Sequence, residues 1–238
     1  MNKAKLLVTE DPAALARDAA DRLLAWALES DGPVRFCLSG GSTPRGTYQE
    51  LASPRMINRF PWPKVHWYWG DERFVPPDDK ASNFRMAREA MLDKAPIPPE
   101  NIHPIPTVGL RAEDAALRYE DELKRAYGST VLQPDRPLFD VCLLGLGDDG
   151  HTASLIPGEP VLAERSHWTA VVGHGRPEVR ITLTYPAIDA SRHIAFLVSG
   201  EDKRAVLKQV LAGDTTKPAA RLVPAGDLVF ITDRTAAG

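Results

Sequence analysis

Cysteine is scarce in this chain. Its 238 residues include two cysteines, Cys37 and Cys142, and each falls inside a short apolar segment that is typical of a buried strand. Cysteines in such positions usually serve as small hydrophobic residues. We therefore predict that both belong to the core and form neither a disulfide nor a metal pair.

Long apolar runs and an excess of positive charge are also absent. No stretch approaches the roughly 18 apolar residues of a membrane-spanning helix, and the first apolar run is too short for a signal peptide. With 29 Lys and Arg against 32 Asp and Glu, the formal net charge is −3, which argues against a general nucleic-acid binder. We expect a cytoplasmic protein without nucleic-acid or membrane partners, monomeric or weakly homodimeric.

Several nucleotide and hydrolase motifs are missing. The chain has no Walker A motif and no G-x-S-x-G nucleophile elbow. Gly145 to Gly150 does match G-x-G-x-x-G, but Pro157 and Gly158 would end any following helix after about two turns. No acidic residue stands where a ribose-binding carboxylate is expected, so we exclude NAD binding.

The strongest candidate for an active site lies between Phe139 and Gly158. The apolar run 139–144 predicts a buried parallel strand. A glycine-rich turn follows, and it carries Asp148, Asp149 and His151. Ligands of open α/β sheets bind at the carboxyl ends of strands, so we predict catalytic chemistry here. The structural alternative is a helix-capping or core histidine beside turn-forming aspartates.

A second candidate follows the predicted strand Val34–Leu38. The segment Ser39-Gly40-Gly41-Ser42-Thr43 comes next, and Pro44 is placed as the first residue of a helix. Free N–H groups and the dipole of a helix N-terminus attract anions, and two hydroxyls add donors. The alternative is a tight turn with a serine cap.

Charged residues mark three further positions. Asp71-Glu72-Arg73 follows the predicted strand Val65–Gly70, where acidic residues pack poorly but suit a binding site. Arg180 lies in the predicted strand Val179–Thr184. Lys203 falls in the first turn of a helix, where a cation is unfavourable unless an anion binds nearby. The alternative for Lys203 is an ordinary solvated lysine.

The remaining elements complete an α/β chain without a linker or repeat that would divide it, so we expect one domain over residues 1–238. Asp11 and Pro12 begin a helix, and Ser82 caps another over Asn83–Leu92. An amphipathic helix is predicted over Arg111–Tyr127, with Ala115, Leu117 and Leu123 facing inward. Further strands are predicted at Lys5–Thr9, Trp168–Val172, His193–Ser199 and Leu228–Thr232.

Together these segments resemble the 6-phosphogluconolactonase family. The matching motifs are LSGGSTPRGTY (38–48), WGDERFVPPDDKASNF (69–84), LGLGDDGHTASLIPG (144–158), RITLTYPAI (180–188) and SGEDKRAVL (199–207). The resemblance implies a three-layer α/β/α fold with a largely parallel, Rossmann-like sheet, related to glucosamine-6-phosphate deaminases. It also implies hydrolysis of 6-phospho-D-glucono-1,5-lactone, a small phosphorylated sugar lactone, without metal or cofactor.

The resemblance also assigns residues. It places Asp149 and His151 at the catalytic centre, with Asp71 and Arg73 from the second motif beside them. It implies phosphate and substrate contacts for Gly40, Gly41, Ser42, Thr43, Asn83, Arg180 and Lys203. The separate roles of Asp71, Arg73 and Asn83 stay open.

Two other functions compete with a lactonase. An amino-sugar phosphate deaminase or isomerase would use Asp71 as a proton-transfer base, but related deaminases have a Glu where this chain has Ile156. A non-catalytic sugar-phosphate sensor would not need Asp149 and His151 together, and no helix-turn-helix segment accompanies them.

Overall fold

The computed structural model describes residues 4–173 and 177–238. The strands are β1 (Lys5–Thr9), β2 (Val34–Leu38), β3 (Val65–Trp69), β4 (Asp71–Arg73), β5 (Phe139–Leu144), β6 (Thr169–Val172), β7 (Arg180–Leu183), β8 (Ser191–Val198) and β9 (Asp227–Asp233). The α-helices are α1 (Pro12–Ala27), α2 (Ser42–Leu51), α3 (Asn83–Ala87), α4 (Ala112–Tyr127), α5 (Tyr185–Asp189), α6 (Arg204–Leu211) and α7 (Arg234–Ala237).

Six strands form a parallel sheet in the order β1-β9-β8-β5-β2-β3, flanked by helices in a three-layer α/β/α arrangement. All six residues of β5 are buried, as expected for an apolar central strand covered on both faces. Cys37 on β2 pairs with Cys142 on β5, and both are free and buried. The predicted parallel sheet and the core position of both cysteines are thus confirmed.

A separate antiparallel sheet, in the order β4-β7-β6, was not predicted. The chain leaves the large sheet at Gly70, whose N–H donates to the Leu38 carbonyl and whose carbonyl accepts from the Leu183 N–H. Asp71 to Arg73 therefore pair with β7 and do not extend β3. A three-residue charged strand has no apolar alternation by which the sequence could reveal it.

The predicted helices are all present, with corrections to where some of them begin and to one buried face. Lys203, predicted in the first turn of a helix, directly precedes α6 instead. The Asp11 side chain caps α1 by accepting from the Ala14 N–H at 2.7 Å, and Pro12 occupies its first turn. Helix α2 begins at Ser42, two residues before the predicted start at Pro44. In α4, the prediction that Leu117 faces inward is wrong, because this residue is 54% exposed. Other residues form the buried face of the helix: Ala115, Ala116, Tyr119, Glu120, Leu123 and Tyr127.

Ser82 caps α3 as predicted, since its hydroxyl accepts from the Arg85 N–H. The helical segment then continues through Arg88–Leu92 as a π-helix. Across the two described ranges, no helix is both long enough and apolar enough to cross a membrane.

Candidate active site

A cleft of about 300 Å³ opens where the carboxyl ends of β2, β5 and β8 approach the small sheet. This is the edge at which ligands bind in open α/β sheets. The cleft is lined by all but one of the residues that the sequence predicted: Gly40, Gly41, Ser42, Thr43, Asp71, Arg73, Asn83, His151, Arg180 and Lys203. The remaining residue, Asp149, contacts His151 directly. The fold thus gathers segments that are widely separated in the chain.

The imidazole of His151 is held by the carboxylate of Asp149. Asp149 Oδ1 lies 2.6 Å from His151 Nδ1 and accepts the backbone N–H of His151 at 3.0 Å. The carboxylate therefore fixes the proton on Nδ1, and Nε2 is left as the nitrogen that can accept one. The side chain of His151 is 24% exposed and lines the cleft. This geometry suits a general base oriented by a carboxylate.

Gly147 provides the space in which the imidazole lies. A Cβ atom at this position would stand 2.1 Å from both Cε1 and Nδ1 of His151. The Gly147 N–H also donates to the His151 carbonyl at 2.9 Å, which closes the turn. Gly147 is therefore required by close packing against the histidine, and the sequence identified it only as part of a glycine-rich turn.

The segment after His151 contains no helix between Thr152 and Gly158. Its chain turns back on itself instead, with the Leu155 N–H donating to the Thr152 carbonyl at 2.9 Å. A dinucleotide site of the G-x-G-x-x-G type needs a helix N-terminus directly after the glycines. The match at Gly145 to Gly150 therefore lacks the helix that such a site requires.

The glycine-serine loop is fixed from two sides. The hydroxyl of Tyr48 accepts from the Ser39 N–H at 2.9 Å and donates to the Ser39 carbonyl at 2.8 Å, and burial raises the pKa of this phenol. A Cβ on Gly40 would lie 2.0 Å from Oδ1 of Asn83. Gly41, with a φ of 107°, then leads into α2. Ser42 and Thr43 therefore line the cleft from the first turn of a helix, where N–H groups lack intrahelical partners.

Three cationic side chains line the same cleft. Arg73 on β4 pairs with Arg180 on β7 across the small sheet, so their side chains lie on one face. The Arg73 guanidinium donates to the Ala81 carbonyl at 2.7 Å. Lys203 precedes α6 and forms an ion pair with Asp148, which is 78% exposed. Cations from three segments beside a helix N-terminus create a region that favours an anion such as a phosphate.

Asp71 lies at the inner end of the cleft and is 6% exposed. The Ser154 hydroxyl donates to its Oδ2 at 2.6 Å, and the Asn83 amide donates to its backbone carbonyl at 2.9 Å. The sequence pointed to Asp71 and Asn83 but gave Ser154 no role, although this serine lies in the same motif as His151. Only the folded chain shows that Ser154 reaches Asp71.

Among residues 4–173 and 177–238, no group of three or more His, Cys, Asp or Glu side chains is arranged to hold a metal ion. The polar side chains of the cleft are instead hydrogen-bonded to one another and to the backbone.

The fold and the cleft agree with comparisons to known proteins. Residues 10–230 match the family model "Glucosamine-6-phosphate isomerases/6-phosphogluconolactonase". A 6-phosphogluconolactonase of Nostoc sp. is 40% identical over 96% of this chain and 95% of that protein. The crystal structure of a 6-phosphogluconolactonase from Thermotoga maritima has a TM-score of 0.82 and 29% identity, with 98% of this chain and all of that chain covered.

A monomeric glucosamine-6-phosphate deaminase shares the fold, with a TM-score of 0.81 over 98% of both chains and 22% identity. The chain belongs to the glucosamine-6-phosphate isomerase/6-phosphogluconolactonase family. Within it, the similar proteins above include lactonases and a deaminase.

Proposed function

We propose that this chain is a 6-phosphogluconolactonase, which hydrolyses 6-phospho-D-glucono-1,5-lactone to 6-phosphogluconate. Membership of the family and the 40% sequence identity to the Nostoc lactonase support this assignment. The observation that carries it is the hydrogen bond between His151 Nδ1 and Asp149, in a cleft that also holds Arg73, Arg180 and Lys203. This arrangement combines a general base with a site for a phosphate.

In the proposed mechanism, Nε2 of His151 takes a proton from water as the water oxygen attacks C1 of the lactone. Asp149 keeps the proton on Nδ1 and stabilises the imidazolium that forms. The bond between C1 and the ring oxygen then breaks, and the imidazolium returns a proton to that oxygen. A lactone is already an activated acyl group, so the mechanism needs no serine or cysteine nucleophile.

The phosphate would be held by Arg180, Lys203 and the N-terminus of α2, with Arg73 and Asn83 beside them. Anchoring the sugar at its far end positions C1 against His151 and reduces the entropic cost of the reaction. Arg73 and Asn83 abut this region because Arg73 pairs with Arg180 and Asn83 packs on Gly40. We propose a binding role for both, while Asp71 would orient Asn83 and act on the substrate only through electrostatics.

A deaminase is the second candidate, and Asp71 at the cleft is the observation that favours it. Against it, Ile156 stands where the related deaminases have a Glu, and its side chain is 4% exposed within the hydrophobic core. An isoleucine cannot orient a histidine or transfer a proton during ring opening. We therefore favour the lactonase.

The test is acid release from freshly prepared 6-phosphogluconolactone at neutral pH, corrected for spontaneous hydrolysis, together with ammonia release from glucosamine 6-phosphate. We expect clear acid release and no ammonia. Enzyme-dependent ammonia production without lactone hydrolysis would overturn the proposal in favour of a deaminase. Binding of 6-phosphogluconate without either reaction would favour a sensor.

The proposal includes three assignments that depend on this activity. The reaction would belong to the oxidative pentose phosphate pathway in the cytoplasm. Residues 1–238 would act as one catalytic domain, because β4, β7, β8 and the segments that follow β2 and β5 all contribute to one cleft. We propose that this domain acts as a monomer or as a weak homodimer.

A further inference from the structure

Glu72 is a buried residue adjacent to the cleft. The four hydrogen bonds of its carboxylate all go to residues 73–84. Glu72 is 3% exposed and does not line the cleft. Oε1 accepts the backbone N–H groups of Arg73 at 2.8 Å and Asn83 at 2.7 Å. Oε2 accepts the N–H of Phe84 at 2.7 Å and the hydroxyl of Ser82 at 3.0 Å. These four donors offset part of the loss of water, although burial still raises the pKa of this carboxyl.

These four contacts join the two ends of a loop. Arg73 ends β4, whereas Ser82, Asn83 and Phe84 lie at the start of α3, and the loop 74–81 runs between them. The guanidinium of Arg73 adds a parallel contact to the Ala81 carbonyl at 2.7 Å. One carboxylate therefore sets the distance between the strand that carries Arg73 and the helix that carries Asn83.

Both tethered residues reach the cleft. Arg73 lies opposite Arg180 on the neighbouring strand, and Asn83 fills the space above Gly40 while its amide donates to the Asp71 carbonyl. They thus form the wall that faces the glycine-serine loop. A shift of this wall would change the position of a guanidinium and an amide without removing either group.

We propose that Glu72 is a positioning residue that fixes Arg73 and Asn83 for binding of the substrate's phosphate end. This inference rests on the proposed lactonase function. Glu72 acts through its neighbours, so its loss should alter binding of the phosphorylated lactone and leave the chemistry at His151 largely unchanged.

The test uses Glu72→Gln, which keeps the size of the side chain but turns an amide N–H₂ toward backbone donors. A neutral amide cannot accept all four hydrogen bonds. We expect the KM for 6-phosphogluconolactone to rise about tenfold, the typical scale for lost charge-assisted hydrogen bonds, with kcat within about twofold. The KM for unphosphorylated gluconolactone should stay unchanged.

Asp140→Asn is the matched control. Asp140 is also buried, and its Oδ2 accepts a backbone N–H group, from Arg35 at 2.8 Å, but it lies outside the cleft. Both variants should lose thermal stability, and only Glu72→Gln should lose discrimination in favour of the phosphorylated lactone. Equal KM values for that lactone in the two variants would overturn the proposal.

Two further arms keep the test decisive. If Glu72→Gln does not fold, Ser82→Ala removes one donor to Oε2, and we expect a smaller rise of the same KM. An unchanged KM would contradict the proposal.

If the wild-type protein hydrolyses neither lactone, the proposed lactonase function fails, but the role of Glu72 can still be tested. Binding of inorganic phosphate, measured by calorimetry, then replaces KM: weaker binding by Glu72→Gln than by Asp140→Asn supports the role of Glu72, and equal binding excludes it.

Discussion

Single residues in the cleft are held by contacts that leave them little freedom. His151 is oriented by Asp149 on one side and lies over the bare backbone of Gly147 on the other. Lys203 is held at the rim by Asp148. Substitutions at these positions should therefore change specific kinetic parameters.

Replacing the proposed base gives the most direct prediction. We expect His151→Ala to lower kcat for 6-phosphogluconolactone by about 10² to 10⁴, the usual contribution of a general acid–base group. The fold should be intact by circular dichroism. His167→Ala is the control, because this histidine is 55% exposed and pairs with Glu164, outside the cleft. Near-normal turnover by folded His151→Ala would exclude the mechanism.

Gly147 tests the position of the imidazole without removing it. In Gly147→Ala the new Cβ would overlap the ring, so His151 must move away from Asp149. We expect kcat to fall by at least about tenfold, because a shift of about 1 Å can cost a hundredfold in an oriented reaction. Gly173→Ala should have no such effect, since its Cβ would lie 3.6 Å from Val179, an ordinary contact. Equal activities of the two variants would show that the ring tolerates displacement.

Lys203 tests the phosphate contact. Lys203→Ala should raise the KM for the phosphorylated lactone, because a charge-assisted hydrogen bond contributes roughly 1.5–3 kcal/mol. Unphosphorylated gluconolactone should be nearly indifferent to the change. Lys208→Ala, at an exposed position of α6, is the matched control. Similar losses on both substrates would assign Lys203 another function.

At the scale of elements, the sequence predicted most strands and helix starts, but not how they associate. Apolar runs such as 139–144 identify buried strands, and residues such as Asp11 and Ser82 mark helix starts by a local hydrogen bond. The small sheet and the buried face of α4 depend on tertiary contacts. Glu120 is buried because it binds the Trp168 and Thr169 N–H groups, and no local pattern contains that information.

The candidate site was predictable to a similar extent. Polar residues that follow buried strands, such as Asp71 and His151, stand out because the carboxyl ends of parallel strands meet at one edge. Glu72 stood out only as one of the acidic residues after β3, and its hydrogen bonds to the start of α3 are visible only in the fold. Ser154 was given no role, since its partner Asp71 lies on a distant segment. The sequence shows that residue 147 is a glycine, but not why. A side chain there would overlap the imidazole of His151, four residues later in the chain.

Helix α5 carries a carboxyl group whose ionisation should affect stability. Burial raises the pKa of Asp189 to about 6, from an ordinary value of 3.8, although the Val223 N–H donates to it. The folded state therefore binds the proton more tightly than the unfolded state. The contribution of this group favours folding at low pH and is lost as pH rises from about 4 to about 6.

We expect Asp189→Asn to stabilise the protein at pH 7.5 by on the order of 1–2 kcal/mol, since the amide oxygen can still accept from Val223 without carrying a charge. The gain should shrink at pH 4.5, where wild-type Asp189 is protonated in the folded state. Chemical denaturation at both pH values measures the difference, with the exposed Asp135→Asn as control. A gain independent of pH would contradict this account.

At the scale of the whole molecule, helix α4 connects the two sheets. The Tyr119 hydroxyl accepts from the Trp69 N–H at 2.9 Å and donates to its carbonyl at 3.0 Å, at the end of β3 in the large sheet. The next residue, Glu120, binds the start of β6 in the small sheet. The residues of the cleft come from both sheets, so the site is complete only when the two are docked together.

This connection predicts that both sheets unfold together. Far-UV circular dichroism and tryptophan fluorescence should give coincident urea-unfolding curves, as expected for a cooperative transition. Tyr119→Phe would leave the buried N–H and carbonyl of Trp69 without their partner, at a cost of about 1–3 kcal/mol, and should shift both curves equally. The two probes could instead give separate midpoints, or the substitution could shift only one of the two curves. Either result would show that the sheets are independent folding units and would contradict the proposal of one catalytic domain.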